Sequence, residues 1–383
     1  MTISIFKSAN KLITGPNALD YLATAIEKFQ LSKPLIVTDQ GVVQSGTLNH
    51  VLECLKTDYA IYDAIKPEPE VSQVQICIDY YRAQQCDGVL AVGGGSALDI
   101  AKCIAALAGQ QGNIQDFIGV DKIAERNIAL IVIPTTAGTG SEVTNIAILS
   151  DTEQQMKQGI VSDCLLPDVA IVSPLMSVSC PASVTAASGV DALVHAIEAY
   201  ISVNRSDLTD ALALQAIDMI VEYLPLAYAL PEHLVAREKM ATASLMAGLA
   251  FGNAGVGAVH ALAYPLGGKY KMAHGVSNAL MLPFVLKWNV LGCARRLSHL
   301  AKRLHVAEGQ NEMQNAEKLV EFLHQFCRKL NIPSSLKHFG IQEDDLPQLA
   351  AEAIKVERLL KNNPRHLSVQ DIEAIYREAY ISG

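Results

Sequence analysis

The chain has 383 residues, 50% of them hydrophobic, with a net charge of −9 and a pI near 5.6. This length and composition allow a large core and predict two domains, while the acidic balance argues against non-specific nucleic-acid binding and against a basic membrane-binding surface. The N-terminus lacks the apolar core of a signal peptide, no apolar run is expected to span a membrane, and the eight cysteines form no Cys-x-x-Cys pair, so we expect a cytoplasmic protein with reduced thiols.

The first half of the chain alternates short apolar runs with amphipathic segments. The predicted elements are strands in ISIF and KLITG, a helix over 18–29, a strand over 35–39, a helix over about 44–57, a strand over 59–65, a helix over 71–85, a strand over 88–95, a helix over 96–108 and a strand in NIALIVIP. Strands that alternate with helices at this period indicate a doubly wound α/β domain. We assign it to residues 1–178 and expect it to bind a dinucleotide.

The second half is rich in alanine and leucine, and β-branched runs become scarce. The predicted helices cover about 182–203, 207–227, 232–251, 255–265, 275–290 and 293–305, with more after 312. This pattern predicts an all-helical domain over residues 179–383. The boundary is expected between Ser173 and Pro181.

A glycine-rich turn follows the strand at 88–95. Gly94, Gly95 and Ser96 open the next helix, where free backbone N–H groups and the helix dipole suit a pyrophosphate. The turn is not the G-x-G-x-x-G fingerprint of Rossmann domains. Ser96 and Asp99 also fit a capping-box variant, which would give Asp99 a structural role as an alternative to cofactor binding.

Polar residues follow two other predicted strands. Asp39 ends LIVTD, at the place where an acid can bond a ribose 2′-hydroxyl and repel a 2′-phosphate. Thr135, Thr136 and Ser141 follow NIALIVIP, where hydroxyls suit a nucleotide or an ordinary surface turn.

One carboxylate and three imidazoles in the helical half have spacings that suit a metal. Asp191 and His195 lie four residues apart on one helix face. His260 and His274 flank a helical run that the proline and glycines of YPLGG are expected to break, which would bring the second histidine back toward the first. An aspartate and three neutral imidazoles suit Fe(II) or Zn(II), although spacing alone fits unrelated helix residues equally well.

Four blocks together resemble the iron-containing (group III) alcohol dehydrogenase family. They are GGGSALD (93–99), PTTAGTGSEVT (134–144), GVDALVHAIEAY (189–200) and HALAYPLGGKYKMAHGVSNALMLP (260–283), in that family's order and roughly its spacing. The resemblance implies a dehydroquinate-synthase-like fold and a metal-dependent alcohol dehydrogenase or aldehyde reductase. It also implies NAD(H), favoured over NADP(H) by Asp39, and Fe(II), with Zn(II) as the other possibility.

The resemblance also assigns roles to particular residues. Asp191, His195, His260 and His274 would hold the metal; Gly94, Gly95, Ser96, Asp99, Thr135, Thr136, Ser141 and Lys157 would line the cofactor cleft, with Lys157 at a ribose. We expect His260, His274 and Tyr264 to take part directly in the reaction, and the protein to be a homodimer.

Tyr264 departs from the family's common pattern. Many members have a histidine four residues after the third ligand, which is regarded as relaying the alcohol proton. A tyrosine here resembles branches that act on 4-hydroxybutyrate and similar hydroxyacids. Lys269 and Lys271 could then meet a substrate carboxylate, although an exposed loop is the preferred interpretation for both.

Two further alternatives stay open. A glycerol-dehydrogenase-like zinc enzyme would share the fold but fits the four blocks less well. A non-catalytic regulator would have lost metal ligands or glycines, and this sequence keeps them all.

Overall fold

The computed structural model describes residues 4–151 and 156–382. The strands are β1 Leu12–Thr14, β2 Leu35–Val37, β3 Ala60–Tyr62, β4 Gly88–Gly93, β5 Gly119–Val120, β6 Ala129–Pro134, β7 Ile146–Asp151, β8 Met156–Val161 and β9 Val169–Val172. Six of them form a parallel sheet in the order β1-β9-β6-β4-β2-β3. The predicted parallel α/β architecture is therefore confirmed.

The parallel sheet is buried on both faces, which is why its strands are continuous apolar runs. In β4, Val89 and Ala91 contribute to one core, and Leu90 and Val92 to the other. The helices that cover the sheet are α1 Tyr21–Lys28, α2 Gln40–Gln44, α3 Thr47–Leu52, α4 Val71–Ala83 and α5 Gly95–Leu107. The first three lie on one face, and α4 and α5 on the other.

Two local predictions in this half are wrong. The single helix expected over 44–57 is two short helices, because Asp39 caps α2 and Gly46, at φ 77°, ends the helical path before α3. The described part of ISIF forms no strand.

A second, three-stranded sheet was not predicted from the sequence. In it β7 and β8 form an antiparallel pair, and β5 adds to β8 in parallel. This small sheet carries Lys157 toward the helical half of the chain, where the residue is buried.

The second half of the chain is helical, as predicted. Its helices are α6 Ala182–Ile201, α7 Asp207–Ala229, α8 Leu234–Ala254, α9 Ala258–Tyr270, α10 His274–Arg303, α11 Glu312–Lys329, α12 Leu346–Ala353, α13 Glu357–Leu360 and α14 Val369–Ile381. They surround one large apolar core. The division into domains at residues 178 and 179 stays a prediction.

The break between α9 and α10 is not where the sequence suggested. Helix α9 runs through Pro265 and the two glycines and ends at Tyr270, and Lys271 takes a left-handed conformation. His274 then begins α10. The two helices expected over 275–290 and 293–305 follow each other within α10 across a kink at Cys293, whose dihedral angles are non-helical.

The expectation that no apolar run is long enough to span a membrane is also wrong. Helices α7 and α10 have the length and composition of a membrane span, with 39% and 72% of their most apolar windows buried in this fold. The bent pair α8 and α9 meets the same test when taken together. Here these helices contribute side chains to the shared helical core.

Candidate metal centre and cleft

Three helices bring the four predicted ligands together. Asp191 and His195 project from α6, His260 from α9 and His274 from the first turn of α10. One potential ligand atom from each of the four residues lies within 4.8 Å of all the others. Bonds of about 2.0–2.2 Å to one ion require only a small contraction of this cluster.

Residues around the ligands fix the orientation of two imidazoles. The Nδ1 of His195 lies 3.1 Å from the carbonyl oxygen of Gly138, and the Nδ1 of His260 lies 2.6 Å from Glu198 Oε2. The other oxygen of Glu198 accepts a hydrogen bond of 2.7 Å from the Val259 backbone N–H. With Nδ1 as donor in both rings, each Nε2 keeps a free lone pair for a metal.

The Nε2 of His260 gives the clearest indication that this cluster is a metal site. The residue is 3% exposed, and this nitrogen has no hydrogen-bond partner among the described residues. It lies 4.0 Å from Asp191 Oδ1. A buried polar atom without a partner is costly, so the donor set fits a divalent ion that satisfies this nitrogen.

Electrostatics keep the ligands in the protonation states that a metal needs. Burial lowers the pKa of His195 to about 4, and burial together with the Lys157 cation lowers the pKa of His274 to about 3. Burial alone would raise the pKa of Asp191, but the three imidazoles and Asn278 outweigh it and lower that pKa. At neutral pH Asp191 is therefore a carboxylate, and His195 and His274 are neutral imidazoles.

Contacts from both halves of the chain support His274. Glu68 accepts a hydrogen bond of 3.2 Å from the His274 backbone N–H and forms an ion pair of 2.5 Å with Lys157. The Lys157 amine lies 3.5 Å from His274 Nδ1. The Asn278 amide donates to Asp191 Oδ1 at 2.6 Å and lies 3.2 Å from His274 Nε2. Lys157 is thus held against the metal centre by Glu68.

A cleft of about 450 Å³ connects the metal cluster with the glycine turn. Most of the predicted cofactor residues line it, namely Gly94, Gly95, Ser96, Asp99, Thr136, Ser141 and Lys157. A Cβ atom on Gly95 would lie 2.8 Å from Thr139 Cγ2, so that position requires glycine. The N-terminus of α5 faces the cleft, since Gly94, Gly95 and Ser96 line it.

The predicted capping box at Ser96 is wrong. Gly94 is the N-cap of α5, and no side chain caps this helix in the described part of the chain. Asp99 instead accepts hydrogen bonds from the Ser141 hydroxyl at 2.6 Å and the Ile148 backbone N–H at 2.9 Å. Asp99 therefore ties α5 to the loop and strand opposite, and leaves the first-turn N–H groups of α5 uncapped.

Two predicted cofactor residues do not line the cleft. Thr135 is buried behind it, and its backbone N–H donates to the Gly93 carbonyl at 2.9 Å. Asp39 caps α2 by accepting from Gly41 N at 2.9 Å and Val42 N at 3.1 Å. Its other oxygen lies 3.4 Å from where a Cβ of Gly93 would stand, so it does sit beside the glycine turn.

Tyr264 faces the cleft, as its spacing from His260 predicts. Its ring centre lies 6.4 Å from that of His274. Burial raises the pKa of Tyr264, and the nearby Arg358 guanidinium opposes that rise. Lys269 instead pairs with Asp345 at 3.0 Å, and Lys271 is exposed outside the cleft lining. The preferred interpretation of both lysines as surface residues agrees with these positions.

Sequence reasoning missed four residues that shape the site. Glu198 and Asn278 had a readable signal, since each lies one turn after a ligand, at His195 plus three and His274 plus four. Glu68 and Arg358 had none, because they come from a loop and a short helix far away in the chain.

Comparisons with known proteins identify the family. Residues 9–174 match a family model described as iron-containing alcohol dehydrogenase, and residues 185–380 match one described as the C-terminal part of the Fe-containing alcohol dehydrogenase family.

Named relatives and a solved structure cover nearly the whole chain. The chain is 41% identical to long-chain-alcohol dehydrogenase 1 of Geobacillus thermodenitrificans, over 96% of this chain and 94% of the relative. It is 36% identical to an NAD-dependent methanol dehydrogenase of Bacillus methanolicus, over 96% and 97%. A crystal structure of 1,3-propanediol oxidoreductase superposes with a TM-score of 0.96 at 37% identity, covering 99% of this chain and all of the other.

The two hydrogen bonds of Glu198 generate a first prediction. In Glu198→Gln, the side-chain carbonyl can accept from only one of two donors, the Val259 N–H or His260 Nδ1–H, and the amide N–H faces the other. We expect the affinity for a divalent ion to fall by about 10–100-fold without loss of the fold. Metal titration against a competing chelator measures it, with the exposed Glu222→Gln as the control. Equal affinities in both variants would show that Glu198 does not support the metal.

Proposed function

The chain belongs to the iron-containing alcohol dehydrogenase family and is a metal-dependent alcohol oxidoreductase, and we propose that it interconverts a small alcohol and its aldehyde with NAD(H) in the cleft described above. The observation that carries the proposal is the buried, unpartnered Nε2 of His260 among three other potential ligands. Such a donor set at the end of a cleft suits one divalent ion beside a substrate.

We assign Asp191, His195, His260 and His274 as the ligands of that ion. When bound there, Fe(II) supplies a Lewis acid that makes an alcohol easier to deprotonate. The lowered pKa values of His195 and His274 keep both rings neutral and available at neutral pH. Glu198 and Asn278 act as positioning residues, since each touches a ligand and not the substrate.

The glycine turn and the loop opposite suit the cofactor. The uncapped N-terminus of α5, at Gly95 and Ser96, offers backbone N–H groups to a pyrophosphate. Thr136 and Ser141 line the same cleft. NAD(H), when bound, exchanges hydride with the substrate carbon. The relative from Bacillus methanolicus is named as NAD-dependent, which supports NAD over NADP.

The protein's own side chains shape the reacting end of the cleft. Phe251, Val256 and Leu359 line it with apolar surface and exclude water, which strengthens electrostatic interactions inside. The Tyr264 hydroxyl is neutral at pH 7, since the ordinary pKa of a phenol lies well above 7 and burial raises it further. It can therefore donate or accept a hydrogen bond but is a poor base. We propose that it orients the substrate, with water as the partner that carries a proton away.

We further propose where the protein acts and which substrates it takes. A cytoplasmic location without nucleic-acid or membrane partners agrees with the net charge of −9 and with eight free cysteines, five of them buried. We also propose that the protein forms a homodimer. The name of 1,3-propanediol oxidoreductase favours a small alcohol. A 4-hydroxybutyrate-type hydroxyacid and a glycerol-dehydrogenase-like zinc reaction are the alternative chemistries.

A second prediction tests the function itself. Protein stripped by a chelator should turn over no alcohol with NAD and no aldehyde with NADH, and Fe(II) added without oxygen should restore both reactions.

In His260→Ala, one ligand is lost, so metal content and turnover should fall together while circular dichroism is unchanged. The exposed His50→Ala is the matched control. Full activity and metal content in His260→Ala would refute the assignment, and recovery with Zn(II) and glycerol alone would favour the zinc alternative.

A third prediction concerns the choice of cofactor. Asp39→Asn keeps the cap of α2, because asparagine caps helices as well as aspartate does, but removes the charge that would repel a 2′-phosphate. We expect the kcat/KM with NADP relative to NAD to rise by about tenfold, since a clash of charges is worth roughly 1–3 kcal/mol. Asp39→Gly, which also loses the cap, should add a loss of thermal stability. An unchanged cofactor ratio in both variants would leave Asp39 with the capping role alone.

A fourth prediction separates the hydroxyl of Tyr264 from its ring. Tyr264→Phe keeps the buried ring and should lower kcat by less than about a hundredfold, because a water can replace the hydroxyl. Tyr264→Leu removes the ring as well and should also lower the thermal midpoint. Wild-type rates in the Phe variant would remove the hydroxyl from the mechanism.

A further inference from the structure

Arg358 is a cation in the cleft that has no anionic partner among the residues that the structure describes. It lies on the short helix α13, is half-buried and lines the cleft with Leu359 and Tyr264. No carboxylate of the described ranges 4–151 and 156–382 forms an ion pair with its guanidinium. An arginine stays charged in proteins, and a partly desolvated charge is costly unless it is paired.

The other charged groups of the cleft already have partners. Lys157 is paired with Glu68 at 2.5 Å, and Asp99 accepts from the Ser141 hydroxyl and the Ile148 N–H. Asp191 belongs to the metal cluster. Among the described residues, Arg358 therefore remains as the one cleft cation without a carboxylate partner, and a bound anion could match its charge.

The position of Arg358 relative to the metal cluster limits which bound molecules could reach both. Its guanidinium lies beside Tyr264, and the Tyr264 ring centre is 6.4 Å from that of His274. On its other side the guanidinium lies over β8, where a Cβ on Gly159 would stand 3.6 Å from Nη2. The Tyr264 ring thus lies between the Arg358 guanidinium and the metal ligand His274.

We propose that Arg358 binds a carboxylate at the end of the substrate remote from the reacting hydroxyl. The planar guanidinium matches a carboxylate in a two-point hydrogen bond, and the adjacent Tyr264 hydroxyl can donate a further bond. The preferred substrates are therefore ω-hydroxy acids and the matching aldehyde acids. In a 2-hydroxy acid the two groups are on neighbouring carbons, too close together to reach both the metal and Arg358. This inference rests on the proposed alcohol dehydrogenase activity and narrows its substrate class.

Paired substrates test the inference in the metal-loaded enzyme with NAD. We compare 4-hydroxybutyrate with 1-butanol, which has the same carbon chain without the carboxylate, in wild type, Arg358→Met and Arg358→Lys. The exposed Lys355→Met, which removes a cation just outside the cleft, is the control. Arg358→Met should lower kcat/KM for 4-hydroxybutyrate by about 10–100-fold, the range of a charge-assisted hydrogen bond. It should leave 1-butanol and the KM for NAD unchanged, and Arg358→Lys should recover part of the loss.

Four results would overturn the inference. Equal losses for both substrates would give Arg358 a structural role, and a raised KM for NAD with either substrate would make it a cofactor contact. A wild type that oxidises 1-butanol far better than 4-hydroxybutyrate would refute the substrate class while leaving the proposed function intact. Metal-loaded wild type that oxidises neither alcohol would refute the proposed function, and this inference with it.

Discussion

The close approach of α10 to α6 is the constraint on which the site depends. A Cβ on Gly275 would lie 2.6 Å from the Ala187 carbonyl oxygen and 3.4 Å from Asp191 Cβ, so only glycine allows α10 to begin against α6. That contact places His274 beside Asp191 although they are far apart in the chain. The remaining ligands follow from helix geometry, since His195 is one turn from Asp191 and α9 crosses the same core.

Hydrogen-bonding contacts orient three of the four ligands. Gly138 and Glu198 occupy the Nδ1 sides of His195 and His260, and the Asn278 amide bonds Asp191. The burial that lowers the pKa values of His195 and His274 also excludes water from the end of the cleft where a hydride would move. The same burial thus keeps His195 and His274 neutral and supplies a medium of low dielectric. The cofactor end of the cleft depends instead on backbone N–H groups that no side chain caps at the N-terminus of α5.

Much of the fold was readable from the sequence because its signals are local. Buried parallel strands are apolar runs, and the long helices of the second half repeat alanine and leucine. The signals failed where tertiary contacts override local rules. Helix α9 continues through Pro265, and the β7–β8 hairpin had no strong turn signal. In the site, spacing and the resemblance identified the four ligands, and the structure brings them together, while Glu68 and Arg358 reach the cleft only through the fold.

We infer that one metal ion binds among Asp191, His195, His260 and His274 and serves an alcohol dehydrogenase reaction. Anomalous diffraction from crystals of the protein loaded with Fe(II), collected on both sides of the iron absorption edge, tests it most directly. We expect one iron peak at bonding distance from His260 Nε2 and from a donor atom of each of the other three residues. An iron peak elsewhere in the protein, or none at this cluster in fully loaded crystals, would contradict the account.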